Sequence, residues 1–218
     1  NTFYSKIKSN SYGFINDLYE KKIEYIYSFS DKLKNNENII FLGTGGSSLG
    51  GKTLVSIKTN FFLNKKKPQI FFLENVDHVS ISGLLDQLNM EKTSVVVISK
   101  SGETIETLAQ FFFIKKIISK THNYKKRIYV VTENKQSTLK KIQEEEDYLF
   151  IEHNKNIGGR YSVFSVVGLL PAAVTSFNIK KFVEGGKKFL KFIENENNFD
   201  SFFLSSLAMI LLQKKGVN

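Results

Sequence analysis

Five short runs of β-branched and aromatic residues, spaced by stretches of helical periodicity, constrain this chain more than any other feature. The runs lie at 39–42, 69–73, 94–98, 127–131 and 148–151, each with few charges. Continuous apolar runs of that length suit strands buried on both faces. Apolar spacing between them predicts helices near 49–62, 79–88, 104–119 and 137–145. Strand and helix alternating in this way predict a three-layer α/β fold on a five-stranded parallel sheet with right-handed crossovers. A broken apolar stripe over 14–33 predicts a helical lead-in. Beyond the fifth strand only helical patterns are readable, near 162–175, 179–193 and 199–215. Gly185-Gly186 weakens the second of these.

The 218 residues suffice for one sizeable α/β domain with its own core. A net charge of +10 raises the question of an anionic partner. The lysines are scattered in doublets and one triplet, Lys65-Lys66-Lys67, among Asn and Ile. No basic stripe interleaved with aromatics is present, so the excess reads as solvation, and neither nucleic acid nor a membrane is expected as partner. Cysteine is absent, which excludes disulfides and thiolate metal sites and fits a reducing, cytoplasmic setting. No apolar stretch approaches the length of a membrane helix. The chain starts at Asn1 rather than Met and stops just after an apolar helical run, so both ends are expected to be cuts in a longer protein.

Open α/β sheets bind ligands beyond the carboxyl ends of their strands, where strand order reverses. Two loops at such positions are unusual. After the first strand comes Gly43-Thr44-Gly45-Gly46-Ser47-Ser48-Leu49-Gly50-Gly51. Glycines there allow backbone to approach a ligand, and a helix start offers unpaired N–H groups. Gly46 to Thr53 also satisfies the phosphate-loop pattern GxxxxGK[ST], although no later strand ends in an Asp to hold Mg²⁺. Gly43-Thr44-Gly45 opens like a dinucleotide fingerprint, with Glu74 as ribose acid, but Ser48 stands where the third glycine belongs. A third functional reading depends on the next loop.

After the third strand, Ser99-Lys100-Ser101-Gly102-Glu103-Thr104-Ile105-Glu106-Thr107 runs into an apolar helix. Four hydroxyls, a glycine and a helix amino terminus make a cradle for a phosphomonoester that needs no metal. An ordinary capping box would account for one of the hydroxyls, not for all four. This run resembles the phosphate loop of sugar isomerase (SIS) domains, and its SKS…ET form resembles phosphoglucose isomerases in particular. Gly45-Gly46-Ser47-Ser48-Leu49-Gly50 resembles the first sugar-binding loop of the same family. The most specific stretch is Asn156 to Gly168, which resembles the family's GGR[FY]S signature throughout as Gly158-Gly159-Arg160-Tyr161-Ser162.

The resemblance implies a SIS domain with flavodoxin-like strand order over 39–160, preceded by a helical lead-in at 1–38. Helices over 161–218 would then lead into a second such domain. It further implies interconversion of glucose 6-phosphate and fructose 6-phosphate through an enediolate, without metal or other cofactor, in a homodimer. Gly46, Ser47, Ser99, Lys100, Ser101, Gly102, Glu103, Thr104 and Thr107 would bind the sugar phosphate, and Arg160 would stabilise the enediolate. The family's base Glu, ring-opening His and Lys match nothing in this sequence, so the stretch alone is expected to turn over negligibly. His78, His122 and His153 lie outside the matching motifs, and Glu103 is not expected to be the base. Two alternatives remain open at this point: a non-catalytic SIS sensor of a sugar phosphate, and a P-loop protein that binds nucleotide.

Overall fold

The structure is a computed structural model that describes residues 5, 12–19, 22–58, 67–194 and 196–216. Two compact units divide the chain, Lys21–Ile179 on one hand and Asn1–Glu20 with Lys180–Asn218 on the other.

The larger unit is built on five parallel strands, β1 (Asn38–Leu42), β2 (Gln69–Leu73), β3 (Thr93–Ile98), β4 (Ile128–Thr132) and β5 (Leu149–Glu152). Their order is β2-β1-β3-β4-β5, the flavodoxin-like arrangement expected from the sequence. The inner strands β1, β3 and β4 are buried along their whole length, as continuous apolar runs require. The edge strands β2 and β5 are only partly covered, because each has a neighbour on one side.

Helices cover both faces. With α1 (Gly13–Tyr19) reserved for the second unit, the larger one contains α2 (Ile23–Lys34), α3 (Leu49–Lys58), α4 (His78–Gln87), α5 (Ile105–Ile118), α6 (Thr138–Glu146) and α7 (Val166–Val174). Ile40, Leu42, Val95, Val97 and Val130 point from the sheet into one core cluster with Ile81 and Leu85 of α4, Phe111, Ile114 and Ile118 of α5, and Leu139 of α6. On the other face α7 packs between α2 and α3 with every residue buried. The Phe29 ring of α2 meets Tyr129 of β4 edge-on at 6.2 Å. Burial in that layer pushes the Tyr129 hydroxyl up to about 12.

Helix starts follow from local chemistry. Asp77 accepts hydrogen bonds from the N–H groups of Val79 and Ser80, Ser137 from Lys140, and Ser165 from Val167. The last of these corrects the expected start at 162, since residues 159–164 form a separate 3₁₀ turn and Ser165 caps α7 beyond it. The lead-in is likewise two helices, α1 and α2, rather than one. The expected end of the first crossover helix, 59–62, lies outside the described residues.

In the second unit, α8 (Ile179–Glu194) runs through Gly185-Gly186 without interruption and is succeeded by α9 (Glu196–Lys214). The Lys187 ammonium sits 5.4 Å from the centre of the Tyr19 ring of α1. Among the described residues no helix is long and apolar enough to cross a membrane.

Candidate active site

The chain steps from β1 to β2 on one side and then back past β1 to β3 on the other, so the loops after β1 and β3 leave neighbouring strand ends at the switch point. Leu42 is paired with Val97, and a Cβ on Gly43 would lie 3.1 Å from the carbonyl oxygen of Ile98. The two glycine- and hydroxyl-rich loops are therefore side by side.

A third segment joins them. A Cβ on Gly46 would fall 2.3 Å from the carbonyl carbon of Gly159, so the two backbones touch where neither has a side chain. The Ser162 hydroxyl lies 2.8 Å from the Gly46 oxygen and 2.6 Å from the Gly159 oxygen, donating between them. The 3₁₀ turn Gly159–Phe164 is thus docked onto the short turn Gly45–Ser47. Arg160 comes directly after the contact residue; it is exposed and forms no ion pair with any described residue. Ser47 is half-buried beside Gly46.

In the loop after β3, the buried Ser99 Oγ lies 2.9 Å from Thr104 Oγ1 and 3.5 Å from Ser101 Oγ, and accepts the Gly102 N–H at 3.2 Å. Gly102 has φ of +72°, a conformation that costs an L-residue about 1–2 kcal/mol, and a Cβ there would meet Ser137 Oγ at 2.1 Å. Thr104 is the N-cap residue of α5 but gives it no side-chain cap. The first-turn amides of α5 consequently face outward beside three gathered hydroxyls, an arrangement that can receive a phosphate dianion.

Other side chains of this loop are engaged elsewhere. The Lys100 ammonium bonds the Lys155 carbonyl at 2.8 Å and pairs with Glu133 at 3.4 Å, bridging the ends of β3, β4 and β5. Thr107 is fully buried one turn into α5, and its hydroxyl has no partner among the described residues. Glu103 accepts the Thr138 N–H at 2.6 Å and the Thr138 hydroxyl at 2.7 Å, and these bonds, the backbone one foremost, hold its carboxyl below the usual range. Because the folded-state value is depressed, this contribution to stability is complete above the unfolded carboxyl value of about 4.3 and is lost as pH falls through the folded one. Urea midpoints should therefore place wild type above Glu103→Gln at pH 7, with the gap closing as pH drops below about 4. An unchanged gap in acid would remove the carboxylate from this role.

Around the glycine loop, sequence reasoning missed a polar cluster. Glu74, at the end of β2, accepts hydrogen bonds from both Ser48 and Lys52. Burial pushes its carboxyl up, but the bonds from Lys52 and Ser48 outweigh that and hold it below its ordinary range. The pattern-matching Lys52 is thereby committed to a carboxylate rather than to phosphates. Gly51 already lies inside α3, where a Cβ would strike Pro171 of α7 at 2.5 Å, so helix packing accounts for that glycine. Glu74 is equally unavailable as a ribose-binding acid. Ser162 was also missed as a bridge, and only its place inside the GGRYS run marked it.

His153 is buried with its Nδ1 3.0 Å from the Asn154 oxygen, whereas His122 faces Glu91 and His78 faces Ser82 on the surface. None of them belongs to the two loops or the 3₁₀ turn. Among the described residues no cluster of His, Asp or Glu could hold a metal ion.

The fold and these contacts define an α/β domain whose switch point gathers a glycine turn, a hydroxyl-rich loop and a glycine-arginine turn. Comparison with known proteins gives that class a family. The phosphoglucose isomerase family model matches residues 22–209. A probable glucose-6-phosphate isomerase from Methanococcus maripaludis is 36% identical over 192 residues, covering 88% of this chain and 43% of the relative. A glucose-6-phosphate isomerase from Rubrobacter xylanophilus is 34% identical over 73% of this chain and 38% of its own length. Among solved structures, a hypothetical protein from Thermus thermophilus superposes with a TM-score of 0.71 at 25% identity, over 87% of this chain and 43% of that one. A glucose-6-phosphate isomerase from Chlamydia trachomatis gives 0.61 at 26% identity, over 78% and 31%. The chain belongs to the phosphoglucose isomerase family, and it spans less than half the length of these relatives.

Proposed function

We propose that the protein to which this chain belongs interconverts glucose 6-phosphate and fructose 6-phosphate, and that this chain supplies the substrate anchor and one electrostatic catalyst. Ser99, Ser101 and Thr104, with the backbone of Lys100 to Glu103 and the first turn of α5, hold the phosphate. Gly46 and Ser47 contact the sugar. Arg160 stands beside the oxygen on which negative charge develops as a proton moves between carbons 1 and 2. A guanidinium suits that task because it stays charged at every working pH and offers planar paired donors. The helices after residue 161 lead on to a second domain of similar kind, which the longer relatives have room for.

The convergence of three chain segments at one switch point supports this reading above the others. A sugar-phosphate sensor would need the hydroxyl loop, but not an arginine turn locked onto the glycine loop. Calorimetry on the purified chain separates the possibilities. Fructose 6-phosphate should bind without added metal, and ATP with Mg²⁺ should give no heat of binding. ATP binding with fructose 6-phosphate inert would defeat the proposal.

A further inference from the structure

Glu103 poses a difficulty for the phosphate reading, on which this inference rests. A carboxylate stands in the middle of a loop whose hydroxyls and amides are to receive a dianion. A unit negative charge about 6 Å from that dianion would weaken its binding about tenfold even at the dielectric of bulk water.

The loop lies between two helix amino termini. On one side is α5, whose N-cap residue Thr104 turns its hydroxyl to Ser99 and leaves the first turn without a side-chain cap. On the other is α6, whose first turn is filled by the loop itself. The Leu139 N–H donates to the Gly102 carbonyl at 3.0 Å. Thr138 donates its N–H to one Glu103 oxygen and its hydroxyl to the other. Ser137 caps α6 through the Lys140 N–H and occupies the space a side chain at Gly102 would need. A carboxylate at a helix amino terminus is stabilised by the partial positive charge there.

We propose that Thr138 and the amino terminus of α6 sequester the Glu103 carboxylate, so that Glu103 is a positioning residue that braces the phosphate loop while its charge is kept off the anion held at α5. One helix terminus neutralises the protein's own carboxylate, and the other is left for the ligand. The excess of hydroxyls in the loop then has a companion requirement 35 residues later in the chain, a donor pair at the first position of α6.

Thr138→Pro tests this with little disturbance. Proline is favoured at the first helical position, where its missing N–H is not needed by the helix, and Ser137 before it has φ −163° and ψ 161°, an extended conformation that a proline at the next position accepts. The substitution removes both donors to Glu103. Binding of fructose 6-phosphate, read by calorimetry, is expected to weaken about tenfold in Thr138→Pro and to return to within about twofold of wild type in Thr138→Pro/Glu103→Gln. Circular dichroism and thermal melting check that each variant is folded. Should Thr138→Pro not fold, Thr138→Ala keeps the N–H and removes the hydroxyl; a loss of about threefold, again reversed by Glu103→Gln, is then expected. Wild-type affinity in the folded Thr138 variant overturns the proposal. So does a double variant as weak as the single one, since the loop would then have been displaced rather than a charge released. Either result leaves phosphate binding itself standing, whereas a wild-type chain that binds no fructose 6-phosphate removes both readings together.

Discussion

Gly46→Ala is expected to abolish binding of fructose 6-phosphate and to lower stability by about 1–3 kcal/mol, while the sheet still forms. The added methyl would lie 2.3 Å from the carbonyl carbon of Gly159, 2.5 Å from its oxygen and 2.7 Å from its Cα. All three are backbone atoms, so no side chain can rotate to make room. Relief requires the glycine turn and the 3₁₀ turn to move apart, which breaks the Ser162 bridge between Gly46 and Gly159 and carries Arg160 away from the loops. The 3₁₀ turn cannot simply retreat. Gly50 of α3 approaches Val163 from one side, and Gly168 of α7 is so close to the Val163 carbonyl that a Cβ would fall 2.1 Å from it. Gly45→Ala provides the contrast, because a Cβ at Gly45 meets nothing within 4 Å and only the strain of φ +53° applies, about 1–2 kcal/mol. Urea unfolding and calorimetry on both variants decide the matter. If Gly46→Ala binds as well as wild type, the contact between the two turns is not part of the site.

The fold was legible because its signal is local. Each inner strand is a buried run too short and too rich in β-branched and aromatic residues for a buried helix, and the strand ends fall within one residue of their expected places. The discrepancies have side-chain causes at a distance. Apolar patterning makes Arg127 the first residue of β4, but its guanidinium donates to the carbonyls of Met90 and Thr93 and to Thr121, which keeps it in the preceding 3₁₀ turn. Ser162 has the local character of a helix start, yet its hydroxyl is bonded to two carbonyls, one of them 116 residues away.

The candidate site was legible in the composition of its loops and opaque in the wiring behind them. Hydroxyl density and glycine placement single out Ser99, Ser101, Thr104 and Gly102 from the sequence, since those residue types are what an anion cradle requires. Nothing local says that Glu103 caps another helix, that Lys100 ties three strand ends together, or that Lys52 is held by Glu74. Those pairings depend on strand order, which brings residues separated by 22 to 55 positions into contact. The Walker-like match illustrates the difference. The letters agree, yet Gly51 serves the close packing of α3 on α7 and Lys52 serves an ion pair.

The hydroxyl cluster carries the other large expectation. Ser99→Ala removes the buried oxygen at the centre of the loop, and the Gly102 N–H retains the Ser99 carbonyl at 3.2 Å as acceptor, so the turn should persist. A hydrogen bond to a charged group contributes about 1.5–3 kcal/mol, which corresponds to about 10- to 150-fold in affinity for each hydroxyl that reaches the phosphate. Ser99 and Thr104 are bonded to each other at 2.9 Å, so their effects cannot be independent. The Ser99→Ala/Thr104→Ala protein should bind fructose 6-phosphate about 10²–10³-fold more weakly than wild type, less than the product of the two single losses. Inorganic phosphate, titrated in parallel, should lose affinity to the same degree, because on the proposed reading the hydroxyls contact the phosphate and not the sugar carbons. A double variant that loses fructose 6-phosphate but keeps inorganic phosphate would move these hydroxyls to the sugar, and one that loses neither would place the anion elsewhere on the molecule.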